Sequence, residues 1–208
     1  DGTVDVYAVT GTDSEWSWDS VYGSDENTHD VILSETFQAN YALPTNCPVI
    51  YSEAKAWVEG VVSGKTTLVV ANSGSYVPEV ILANNITYAN GAGTDGFTLI
   101  GEGFVRIPYN SPDDMTLYGI FAALTEKFGR HYYWEADVGA WSSRNSLTVV
   151  GTILSQRLAG IKYGGTCNGS ACGYANRTYS YDSALITDPP PFTPATDSQE
   201  KLFLWREE

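Results

Sequence analysis

Basic residues are scarce in this 208-residue chain: 11 Lys and Arg stand against 25 Asp and Glu, a net charge of −14. Phosphate binding needs concentrated cations, so this balance argues against a nucleic-acid partner. It argues equally against docking on anionic lipid. Long apolar runs are lacking too, and no stretch nears the ~20 residues that span a bilayer. Two His and three Cys offer no recognisable zinc spacing. No Ser/His/Asp, metal-His or phosphate-loop motif stands out, and helical periodicity is nearly absent. The start, Asp1-Gly-Thr-Val-Asp5, shows no leader. That leaves open whether an export signal was removed, lies outside this chain or never existed.

What is abundant is aromatic and small. Six Trp, 14 Tyr and 20 Gly with 17% charged residues make a β-rich composition, well away from disorder. The length allows one sizeable domain or two small ones. A short phrase recurs as Phe97-Thr-Leu-Ile-Gly101, Met115-Thr-Leu-Tyr-Gly119 and Leu147-Thr-Val-Val-Gly151. Fainter copies are Ala56-Trp-Val-Glu-Gly60 and Val80-Ile-Leu-Ala-Asn84. Alternating apolar positions that end in a small residue describe a strand with one buried face, followed by a sharp bend. Starts at 80, 97 and 115 predict a period of 17 to 18, with the later gap of 32 read as one period plus an insertion. The fold class expected is all-β, a β-solenoid of stacked coils; an antiparallel sandwich is the rival. Leu68, Leu82, Leu99, Leu117 and Val149 are its expected shared core.

Residues 1–47 form the expected N-terminal part, irregular apart from short strands and an acidic loop over Thr10–Asp30. Residues 48–208 form the solenoid, with an aromatic insertion at about 128–145. Pro189-Pro-Pro191 is suited to carrying the chain across the solenoid's end as a cap, before a last strand at Lys201–Trp205. Cys167 and Cys172 bracket a turn-forming Asn-Gly-Ser-Ala, so a disulfide and an oxidising, extracytoplasmic location are expected. Cys47 is left over, read as a small buried residue or an intermolecular link. The alternating Val4, Val6 and Ala8 could add as a strand to a neighbour or pair within their own chain.

Several blocks resemble bacterial pilus-assembly proteins of the PilX type. They are the stretch from Pro48-Val-Ile-Tyr51 to Leu68, Asn84-Asn-Ile-Thr-Tyr88, Pro112-Asp-Asp-Met-Thr-Leu117, Ser146–Arg157, Tyr181–Phe192 and Leu204-Trp-Arg-Glu207. They run in the same order over residues 48–208. The resemblance implies a β-solenoid and a non-enzymatic structural or assembly role in an extracellular, cell-surface or pilus-like filament. The partners would be further copies or other surface subunits. Two features depart from it: the chain has no hydrophobic pilin-like helix, and residues 1–47 match only loosely.

The alternative is a carbohydrate-active or glycan-binding β-solenoid. Its candidates are the aromatics Tyr132, Trp134 and Trp141, close in sequence to Glu135, Asp137 and His131, and the pair Asp113-Asp114. The bland reading makes these carboxylates turn caps or solvated groups. Calcium candidates are Asp1, Asp5, Asp113 and Asp114, none in EF-hand spacing; no other cofactor is indicated. Asn168 and Asn176 are glycosylation triplets in loops, and Asn85 in a strand reads as part of a stacked Asn ladder.

Overall fold

The computed structural model describes residues 2–20 and 22–193. The chain is strand-rich. In order it forms β1 (Thr3–Thr12), β2 (Glu15–Asp19), β3 (Ser24–Thr28), β4 (Ile32–Ala42), β5 (Val49–Ser52), β6 (Ala56–Val62), β7 (Lys65–Val70) and β8 (Val80–Tyr88). There follow β9 (Gly96–Gly101), β10 (Val105–Ile107), β11 (Asp114–Ala123), β12 (Phe128–Arg130), β13 (Ser143–Ser155), β14 (Lys162–Cys167) and β15 (Ser170–Ser180). Among the described residues, helix is confined to the single turns α1 (Glu135–Val138) and α2 (Ala184–Thr187), and a 3-10 turn at Gly139–Ser142. Among the described residues, eleven strands join one sheet, all parallel except β14, which pairs antiparallel with β15.

The register sorts these strands into three columns. In the first, Ile50, Leu68, Leu99, Phe121 and Ile153 lie side by side. In the second, Gly60, Ile86, Leu117, Val149 and Tyr179 do so. Ala56, Val80, Val105 and Phe128 make the third. The chain visits them repeatedly in one order: third, second, first. Alternate side chains of all three face a common interior, where Leu68, Leu82, Leu99, Leu117 and Val149 are buried, as expected. A strand buried by its neighbours reads as β-branched and Leu-rich, which is what β7 to β13 show.

Long strands turn the corner between columns without a loop. β11 and β13 each run from the second column into the first, bending at Gly119 and Gly151, which face each other with φ of +135° and +140°. A Cβ at Gly151 would fall 1.9 Å from the Gly119 carbonyl oxygen, so only glycine fits the close approach.

The period differs from the expectation. Phrases starting at 115 and 147 are in register throughout, and those at 56 and 80 over their first three positions, before a bulge sets Gly60 against Ile86. The phrase at 97 is not: Thr98 faces Ile120 and Gly101 faces Ala123. Column partners lie 31 positions apart from Leu68 to Leu99, 32 from Leu117 to Val149 and 30 from Val149 to Tyr179, but 22 from Leu99 to Phe121. The gap of 32 is therefore a whole circuit. The 17–18 spacing links strands of different columns, because every face of a circuit needs the same apolar alternation.

Three further expectations are corrected. The N-terminal part is ordered: β1 and β4 form an antiparallel ribbon, and β2 and β3 a hairpin inside the presumed acidic loop. The segment 128–145 is an insertion only in part, since β12 pairs with β10 and β13 begins at Ser143. Pro189–Pro191 does not cross the end of the sheet. It lies along the first column's side, where Thr67 donates to the Pro191 carbonyl, Lys65 pairs with Asp188, and Pro190 sits against Gly96. The strand expected at 201–205 lies outside the described residues.

Candidate functional site

The chemistry-bearing residues gather where the β2–β3 hairpin covers the outer face of the third column. Strand alternation that turns Val105 and Phe128 inward turns Arg106 outward, with His131 just beyond β12. The hairpin and the residues just after it answer with Asp19, Glu26 and Asp30. Arg106 reaches Glu79 at 2.9 Å, Glu26 at 3.2 Å and Asp30 at 3.4 Å. Lys55 bonds Asp30 at 2.8 Å and Glu79 at 3.1 Å, and Lys127 bonds Asp19 at 2.7 Å. The ring of Phe104 lies under Arg106 and edge-on to His131.

Burial alone would raise the Asp30 carboxyl, but Arg106 and Lys55 outweigh it and hold it below the usual carboxylate range. Burial pulls Lys127 down, with Asp19 offsetting only part. Burial likewise lowers His131, and the nearby Arg106 adds to that. The ring is thus neutral, its Nδ1 2.9 Å from the Ser17 hydroxyl and its Nε2 3.4 Å from Asp19.

Ser17, His131 and Asp19 resemble a nucleophile, base and orienting acid. Ser17 is nevertheless wholly buried beneath its own hairpin, so no substrate carbonyl reaches it. Asp19, Glu26 and His131 also come within 4.8 Å of one another, a spacing a metal ion could use. The donor set does not fit one: Lys127 and Arg106 already supply the positive charge to these two carboxylates. The arrangement is a polar clamp that seats the hairpin. Sequence reasoning placed Asp19 and Glu26 only within an acidic loop and singled out His131, but missed Arg106, Lys55 and Lys127 as their partners. Lone cations lying 25 to 108 positions from Asp30 and Asp19 carry no local signal.

Other expected residues are dispersed. Asp5 accepts from Asn40 on the ribbon, and Asp1 lies outside the described residues. Asp113 caps the Asn145 backbone N–H, while Asp114 accepts from Asn145 and Ser146. Asn176 in turn donates to Asn145, so the polar ladder climbs Asp114, Asn145 and Asn176. Asn85 instead accepts from the Thr116 backbone N–H. Asn168, at φ +47° in the β14–β15 turn, and Asn176 are both exposed. The Cys167–Cys172 disulfide is present and staples that hairpin. Cys47 is exposed, not buried: it sits in the loop between β4 and β5, which no layer covers.

Tyr132 and Trp134 meet edge-on beside Tyr163. Trp141 stands apart from them, with Tyr109 and Arg144. It lines an open groove of about 810 Å³ between the root of β4, the outer face of β6 and the 110–113 loop. Trp57, absent from the sequence-derived candidates, lies across it. The ribbon carries Val4, Val6 and Ala8 opposite Tyr41, Ala39 and Thr36 of its own chain. It leaves Tyr7, Leu33, Phe37 and Tyr41 exposed. Among the described residues, no helix is long and apolar enough to cross a membrane. No family model, no curated protein and no solved structure matches this chain.

Proposed function

We propose that this chain is a non-enzymatic structural subunit of a cell-surface or pilus-like filament, built on a β-solenoid. The three columns, visited in one order at intervals near 31 residues, support the solenoid: each circuit buries its apolar face against the next. The disulfide is compatible with an oxidising, extracellular compartment. A clamp made of buried, mutually neutralising charges suits a part that must stay rigid, and it leaves no accessible nucleophile.

The single observation that carries the assembly reading is the β1–β4 ribbon. It is a two-stranded sheet with no third strand among the described residues, so both of its edges are open. On it, Tyr7 (46% exposed), Phe37 (54%) and Leu33 (69%) face solvent. Open edges and unburied aromatics are what a subunit contact leaves bare in the free chain. An isolated two-stranded ribbon is marginal in water, so a partner that covers it would also stabilise it.

Sedimentation velocity over a concentration series tests this. Self-association should increase with concentration and be abolished by Tyr7→Ser combined with Phe37→Ser, with the circular dichroism of the sheet unchanged. A wild-type chain that stays monomeric throughout, or one whose association ignores the double substitution, removes the basis for this reading.

A further inference from the structure

We propose that the groove beside Trp141 is a binding site for an uncharged oligosaccharide. The inference is independent of the filament role and concerns what the surface recognises. About 810 Å³ falls in the range of small-molecule sites, roughly 300–1,000 Å³. Three elements wall it. β4 contributes Glu35 at its root, β6 contributes Trp57 and Glu59, and Asp113 and Arg144 flank Trp141 on the far side.

Both indoles are fixed before any ligand arrives. The Trp57 ring N–H donates to the Asp30 carbonyl at 2.7 Å. Trp141 has the Arg144 guanidinium 4.3 Å over its ring, yet remains 46% exposed, which leaves ring surface free to take a ligand. A flat aromatic ring held in place is the surface on which the C–H face of a sugar ring packs, at little entropic cost.

The polar groups select the ligand's charge. Arg144 is 92% buried by its 8% exposure and poorly satisfied: its Nη2 is 3.4 Å from the Tyr109 carbonyl, its Nη1 is 3.7 Å from Asp113, and its buried Nε has no partner. A buried donor without an acceptor costs free energy that a ligand oxygen recovers. Glu35, Glu59 and Asp113 repel an acidic sugar, while Arg144 repels a cation. Hydroxyls, which both donate and accept, satisfy donor and carboxylates together.

The test titrates the full chain with cellohexaose, maltohexaose, mannohexaose and chitohexaose, read by calorimetry and tryptophan fluorescence. At least one should bind, and Trp141→Ala should weaken it at least about tenfold, the loss typical of truncating an aromatic anchor. The Arg130 contact to the Trp141 backbone carbonyl survives that substitution. Glu59→Ala should weaken binding in the same direction, whereas Trp134→Ala, outside the groove, should leave it unchanged. The proposal is overturned if none of the four binds, or if binding ignores Trp141→Ala. It is overturned too if hexagalacturonate or spermidine binds tighter than every neutral sugar.

Discussion

At the scale of single residues, the clamp behaves as a set of mutually dependent charges. Lys127 and Asp19 each keep only 1% of their side-chain surface in water. Asp19→Asn leaves Lys127 buried without its counter-charge and should cost about 3–5 kcal/mol in chemical denaturation. Combining it with Lys127→Met should recover much of that loss; a double variant as unstable as the single one contradicts the pairing. His131 sets a pH dependence. Its folded pKa lies below the ordinary 6.5, so the unfolded chain binds a proton that the native ring refuses. The stability it contributes is complete above pH 6.5 and is lost as pH falls through the lowered folded value. Asp30, also depressed, adds a loss of the same sign at lower pH. His131→Gln should therefore flatten the fall of the denaturation midpoint as pH drops below about 6.5. An unchanged slope would assign that fall to other groups. Gly151 offers a steric test: alanine there meets the Gly119 carbonyl at an unfavourable φ, and should cost on the order of 3 kcal/mol.

At the scale of elements, the hairpin β14–β15 and the columns make separate predictions. Replacing Cys167 and Cys172 with Ser opens a loop of few residues, for which chain entropy gives about 2 kcal/mol. Unreduced peptide mapping should find the two joined in native material. Leu117→Ala empties a position that is fully buried between Ile86 and Val149, and should cost about 2–5 kcal/mol by calorimetry. Such positions were legible because burial on one face imprints alternation on each strand. The register was only half legible. Leu147 and Met115 carry the same phrase and do pair, but the phrase at Phe97 pairs four residues further along β11, with Thr98 facing Ile120. Alternation says which side faces in, not which circuit stacks on which. The hairpin β2–β3 was illegible for a different reason. Its inward residues Ser17, Asp19 and Thr28 are polar and bury against charges from distant strands, so the sequence reads as a solvated acidic loop. Trp57 escaped notice as a site residue because its phrase marks it only as a strand position.

At the scale of the whole molecule, the net charge of −14 and the ribbon's bare aromatics pull in opposite directions. Like-charged copies repel, so raising ionic strength should promote association, while burial of Tyr7 and Phe37 supplies the attraction. Increasing salt should shift the sedimentation profile towards larger species, whereas a salt-induced dissociation would mean that ion pairs hold the copies together. The central claim is that the chain is a structural subunit of a surface filament. Immunogold electron microscopy of the producing cells tests it most directly, using antibody raised to the folded chain. The account predicts gold particles aligned along extracellular filaments or at the cell surface, and lost when the chain's gene is deleted. Label confined to the cell interior, or spread through the medium with no filament beneath it, would contradict it.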